Sequence, residues 1–154
     1  MKLEGLEGLQ AALGKMTKEI EAEVDKAVDA TGLELRGEVV KAYQRGPKTG
    51  RVYTHYFFTD GSGNLRRGRE RDKPHQASKE GEAPATDSGR LASSVNYKKD
   101  GAMSATVGSE IVYAAMLEFG TSRIAPRPAW VPAVEAMRSK FERRIQDALA
   151  RATR

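Results

Sequence analysis

Histidine is the side chain best suited to proton transfer near neutral pH, and this chain has two, His55 and His75. Neither has a second ligand at helical or strand spacing, and there is no cysteine to supply a thiolate. A zinc or iron site needs more convergent donors than that. Carboxylate pairs offer no better chemistry. Glu80 and Glu82 lie in a Gly-rich stretch that cannot by itself hold a general acid–base pair rigid. Ser88, Ser93 and Ser94 stand at no motif distance from a histidine, and no GxSxG elbow occurs. The stretch DGSGNLRRG lacks the Gly-Lys-Ser/Thr ending of a phosphate loop and opens no predicted helix. The expectation is therefore no enzyme, no cofactor, no metal and no catalytic residue.

Arginine offers a different chemistry. Arg66, Arg67, Arg69, Arg71 and Lys73 fall within eight residues, and guanidinium forks match phosphate oxygens. Residues 45–73 carry 8 basic and 3 acidic side chains, whereas residues 1–44 carry 6 basic and 9 acidic. Such a patch is either a solvated loop or the footprint of an anionic partner. No aromatic stands between Arg66 and Arg90, so base stacking is not expected. Any DNA contact should be transient, non-specific and salt-sensitive.

The third feature is Tyr113–Ala133, YAAMLEFGTSRIAPRPAWVPA. It combines an apolar run, a Gly-Thr break, three prolines and the only tryptophan. Its single acid is Glu118. It suits a fixed, shaped surface better than catalysis. Phe119 and Trp130 can anchor an interface or the monomer's own core. Arg127, between two prolines, can pair with Glu118 in the same chain or across an interface.

The elements that must position these residues follow from periodicity. Residues 1–16 carry Leu3, Leu6, Leu9 and Leu13 among glycines and allow a short helix over 6–13. Thr17 can cap a long helix over 17–44, whose stripe runs Ile20, Val24, Ala27, Val28, Thr31, Leu35, Val39 and Ala42. Gly32 and Gly37 allow close approach of a neighbouring element. Residues 51–59, rich in β-branched and aromatic side chains, predict a strand. Residues 60–90 hold one large aliphatic residue, Leu65, and five glycines, and predict a long flexible basic loop. Residues 91–98 and 102–108 predict a β-hairpin turning at Lys99-Asp100-Gly101. Residues 111–119 predict a short helix or turn, followed by a Pro-rich elbow through 131. Pro132 opens a C-terminal helix over 132–152 with a basic exposed face. The order gives an α+β fold, with the long N-terminal helix and the C-terminal helix packed on a small antiparallel sheet in a single domain over 1–154.

Composition bounds the class. The chain is 39% apolar and 31% charged, which fits a globular domain with polar excursions. No apolar run approaches 18 residues, so no membrane partner is expected. The N-terminus has no apolar signal-peptide core.

Two segments in order, GEAPATDSGRLASSV (Gly81–Val95) and Tyr113–Ala133, resemble the neck and tail-component family of long-tailed bacteriophages, also described as head–tail joining or tail-completion proteins. Pro84, Asp87, Ser88, Gly89, Arg90 and Leu91 carry the first motif. The second is carried by Tyr113, Ala114, Glu118, Phe119, Gly120 and Thr121, then by Pro126, Arg127, Pro128, Pro132 and Ala133. The resemblance implies a non-enzymatic virion protein at the head–tail junction, made in the bacterial cytoplasm. It implies homo-oligomeric rings that touch other neck and tail proteins, with DNA passing through. Trp130 joins the interface candidates, and Arg66, Arg67, Arg69, Arg71 and Lys73 are the DNA-facing ones. The alternative is a small basic nucleic-acid-binding protein without sequence specificity.

Overall fold

The computed structural model describes residues 6–153; Leu3 and Gly5 of the first predicted segment lie outside them. The elements are α1 (Leu6–Arg45), β1 (Val52–Thr59), β2 (Leu65–Gln76), α2 (Arg90–Ser93), β3 (Val95–Gly101), β4 (Ser104–Ser109), α3 (Val112–Phe119) and α4 (Trp130–Ala152). The α+β class holds, with long first and last helices. The strands form two separate two-stranded sheets, β1–β2 and β3–β4, rather than one.

Several boundaries differ from expectation for local reasons. The two predicted N-terminal helices are one helix of 40 residues. Thr17 is no cap: its hydroxyl donates to the Leu13 carbonyl at 2.9 Å, the back-bonding that lets threonine sit inside a helix. Strand β2 occupies the segment expected to be a flexible loop and pairs antiparallel with β1, from Val52 opposite Gln76 to Thr59 opposite Leu65. Asp60 builds the connecting turn, its Oδ1 accepting from the Ser62 and Asn64 amides at 3.0 and 2.9 Å. Gly63 there adopts φ 80°, a conformation glycine enters without steric cost. Residues 90–93 form a helical turn where a strand was expected, and β3 starts at Val95. The second hairpin turns at Ala102–Met103 rather than at Lys99-Asp100-Gly101. Helix α4 begins at Trp130, two residues before Pro132.

The chain divides into two compact units. The first comprises residues up to Glu38, Asn96–Gly108 and Ala133 onward. Here a Cβ added to Gly32 would sit 2.7 Å from Cε2 of Tyr97, so this glycine admits the tyrosine ring against the helix. The Tyr97 hydroxyl donates to Asp29 at 2.5 Å, and Lys99 binds both Asp29 and Asp25. Gly37 has no atom near its own Cβ position and serves no such approach. Lys140 and Arg144 both bind Glu34, and Arg151 binds Glu23. Part of the acidic excess of α1 therefore neutralises the basic face of α4.

The second unit comprises Val39–Val95 and Ser109–Pro132. Its core holds Val39, Tyr43, Leu91, Ala92, Val95, Ala114 and Ala129.

Candidate functional site

Both sequence motifs lie largely in the second unit; one backbone bond joins them and another folds the second motif on itself. The Gly81 amide donates to the Pro126 carbonyl at 3.0 Å, and the Arg127 amide donates to the Leu117 carbonyl at 2.7 Å. The two prolines around Arg127 lack donors, so Arg127 supplies the one amide of that tripeptide.

Glu118 holds the elbow. It is 6% exposed, and its carboxylate accepts from the amides of Ala129 (2.8 Å), Trp130 (3.1 Å) and Val131 (2.8 Å). These amides open α4, where N–H groups lack intrahelical partners and the helix dipole favours negative charge. Pro132, the next residue, has no N–H to satisfy. Of the two pairings open to Arg127, the one with Glu118 of the same chain is absent among the described residues. Instead the Arg127 Nε is buried without a hydrogen-bond partner, as is the Thr86 hydroxyl. Gly120 closes α3 at φ 74°, and a Cβ there would sit 2.8 Å from the Ile124 carbonyl. Thr121 completes the turn, its Oγ1 accepting from the Arg123 and Ile124 amides.

The two aromatic anchors have opposite fates. Trp130 donates its indole N–H to the Tyr43 hydroxyl at 2.8 Å. Tyr43 is 1% exposed, and burial pushes its hydroxyl up to about 12. Phe119 is 75% exposed, and Val112, Tyr113 and Met116 of the same helix are exposed with it.

The first motif turns its acid toward the basic ribbon. Asp87 binds Arg71 through two bonds, at 2.6 and 2.7 Å. The Arg71 guanidinium, together with nearby His75, holds the Asp87 carboxyl below its usual range. Gly89, at φ 77°, precedes the helical turn that buries Leu91, and Arg90 faces solvent. A cavity of about 220 Å³ is lined by residues of both motifs, among them Asp87, Arg90, Tyr113 and Arg127, and by Ser78 just before the first. Pro128 is half-buried beside them in the sequence.

The five cations of β2 are not equivalent. Arg71 has a side chain 10% exposed, also bonded to the His55 carbonyl and stacked 4.2 Å from the Tyr56 ring centroid. Arg66 binds Asp60 at 2.7 Å. Arg69 lies over Tyr56 and 4.0 Å from Asp72. Arg67 meets the His55 ring at 2.7 Å and, like Lys73, has no carboxylate partner among the described residues. The pairing of strands also places aromatics of β1 beside these cations, as where Phe57 stands opposite Arg67 and Phe58 opposite Arg66. Linear spacing along β2 concealed this; the Asp-Gly-Ser-Gly turn after an aromatic strand was the available hairpin signal.

Among the described residues no group of three or more His, Asp or Glu is placed to hold a metal, and no helix is long and apolar enough to cross a membrane. No curated protein and no solved structure matches the chain. The model of the family described as "Bacteriophage HK97-gp10, putative tail-component" matches residues 7–120, which takes in all of the first motif and the second as far as Gly120. With that share of its length matched, the chain belongs to this bacteriophage tail-component family, whose role is structural and whose place is the virion.

Proposed function

We propose that the chain is a neck or tail-completion subunit that forms a ring at the head–tail junction, with DNA passing through the ring. The observation that carries the reading is the elbow. Glu118 and Thr121 spend their polar groups on backbone amides and Gly120 turns the chain at φ 74°, while Phe119 stands out at 75% exposure. A rigid frame that presents an apolar side chain suits contact between protein surfaces. The other subunits and neighbouring neck and tail proteins are the partners. Arg66, Arg67, Arg69 and Lys73 are the residues proposed to meet passing DNA. Arg71 is set aside, since its guanidinium is bound by Asp87.

Electron microscopy and mass photometry of the purified protein, alone and with neck partners, test this. Closed rings are expected. A particle that stays monomeric with every partner and at every concentration would count decisively against it.

The second reading, a nucleic-acid-binding protein without sequence specificity, is favoured by the aromatic–arginine juxtaposition of β1 and β2. It predicts oligonucleotide binding that weakens steeply with salt. It also predicts loss of that binding when Arg66, Arg67 and Arg69 become alanine.

A further inference from the structure

The β1–β2 ribbon carries a groove of about 220 Å³ lined by Arg51, Tyr53, His55, Phe57 and Arg67. Its aromatic floor is ordered: Tyr53 and Phe57 meet edge-to-face at 6.0 Å, and Arg51 lies over the Tyr53 ring at 5.4 Å. Arg51 and Arg67 both lack a carboxylate partner among the described residues. Beside the groove Phe57 is 45% and Leu65 71% exposed. Leu65 is paired with Thr59, and alternation puts Thr59 on the Phe57 face. A two-stranded ribbon is marginal in water without cover. This face therefore suits an occupant that is apolar along its centre and acidic at its edge.

The same chain holds such a surface. Leu6, Leu9, Leu13 and Met16 of α1 are all exposed. Their spacing of three, four and three residues lines them along one narrow seam that continues to Ile20. At 100° per residue Glu19 and Glu21 flank the two sides of this seam, whereas Lys15 and Lys18 point away from it. Glu19 has only an exposed partner on its own helix, Lys15 at 3.7 Å, a contact worth little in water, whereas Asp25 and Asp29 are bound by Lys99, and Glu23 and Glu34 by α4. The seam from Leu6 to Ile20 is about 21 Å long, and the eight residues of β1 span about 26 Å.

We infer that the leucine seam of α1 in one copy docks on the Tyr53–Phe57–Leu65 face of the ribbon in a second copy, with Arg51 and Arg67 facing Glu19 and Glu21. The two surfaces differ, so the contact is heterologous and repeats from copy to copy. It closes as a ring when the rotation permits and runs on as a filament when it does not. Nucleic acid would supply phosphates to the arginines but would leave Phe57, Leu65 and the leucine seam uncovered; Arg67, engaged by the second copy, then leaves the DNA-facing set to Arg66, Arg69 and Lys73. The inference rests on the ring reading for its closure but not for its contact.

The absence of native cysteine makes the test clean. Leu13→Cys chains are mixed with differently tagged Phe57→Cys chains under mild oxidation, with Leu65→Cys as a second ribbon variant. Circular dichroism and solubility certify each variant's fold. The expected result is a mixed adduct in excess of either homodimer, and at least a tenfold weaker self-association for the double variant Arg51→Glu, Arg67→Glu. Three results overturn the pairing. One is a predominant Leu13→Cys homodimer, which would mean that two leucine seams pair. Another is no adduct with either ribbon variant. The last is a charge reversal that lowers binding of a 20-nucleotide oligomer while self-association stays unchanged. Closed rings without a mixed adduct would remove this contact and leave the ring reading standing. A mixed adduct in open filaments would keep the contact and remove the ring.

Discussion

The elbow after α3 and the β1–β2 ribbon both gather charge and large apolar side chains, but they use their polar groups differently. In the elbow the one acid is buried, and all its bonds go to the amides that open α4. In the ribbon one cation, Arg71, is bound inward, while Arg67 and Lys73 have no carboxylate among the described residues. The elbow's chemistry is consumed in fixing the backbone; the ribbon's is largely left at the surface. Polar groups satisfied within the chain set shape, and unsatisfied ones at the surface set partners.

The largest expected effect breaks the elbow. Glu118→Ala should destabilise the protein by about 3 kcal/mol, because three amides at a helix start lose a charged acceptor. Glu118→Gln keeps one acceptor oxygen and should lose about half as much. Urea denaturation followed by Trp130 fluorescence measures both. Equal stability of wild type and Glu118→Ala would mean that the elbow is held by its prolines alone.

Tyr43→Phe comes next. It removes the acceptor of the Trp130 indole N–H while keeping the ring that fills the core. A loss of about 1 to 2 kcal/mol is expected, with a shift of the tryptophan emission. Tyr43 also carries a pH signature. Its folded value is raised to about 12, so the neutral hydroxyl is the form the fold favours. That stabilisation is fully present below the ordinary tyrosine value of about 10 and is lost as pH rises through the folded value. Tyr43→Phe should therefore flatten the alkaline limb of stability.

These elements differ in how legible they were in the sequence. The long helices were legible because their apolar residues recur every three or four positions. The family motifs were legible as types in order, yet the use of Glu118 was not. Its partners are backbone amides 11 to 13 positions later, and no side-chain pattern marks them. Arg127 looked like the natural partner because charge is visible in a sequence and helix-opening amides are not. Strand β2 was hidden for a related reason. Its side chains, LRRGRERDKPHQ, have no apolar alternation, because both faces of the ribbon are largely exposed and pairing rests on backbone bonds and on arginine guanidinium groups over Tyr56. Gly32 was marked as a place of close approach and is one; Gly37 carried the same signal and is not. Spacing locates a glycine, but only the partner ring of Tyr97 gives it a use.

A smaller effect tests the base of the ribbon. The Asp87 carboxyl lies below its usual range, chiefly through its hydrogen bonds to Arg71. The sign follows: the bridge stabilises fully above about pH 4, the ordinary aspartate value, and fades as pH falls through the lowered folded value. Amide exchange of Gly50 and Ala77, whose backbone bonds close the ribbon's open end, should accelerate on that acid limb. In Asp87→Asn exchange should be faster at neutral pH and no longer steepen with acid. An unchanged acid limb in Asp87→Asn would assign the effect to another carboxylate.

The smallest effect on the monomer is expected at the ribbon's exposed face, and it separates the two regions most sharply. Phe57→Ser combined with Leu65→Ser removes apolar side chains that are 45% and 71% exposed. Such a surface change should alter monomer stability by no more than about 0.5 kcal/mol. If that face is left open for a second copy, the same double change should abolish self-association. Glu118→Ala should do the reverse, weakening the monomer while leaving the ribbon's contact competent in whatever fraction stays folded. Sedimentation at matched folded concentration distinguishes the two. A ribbon variant that unfolds the monomer would mean that Phe57 and Leu65 serve the chain's own stability, as Trp130 does, and the contrast between elbow and ribbon would fail.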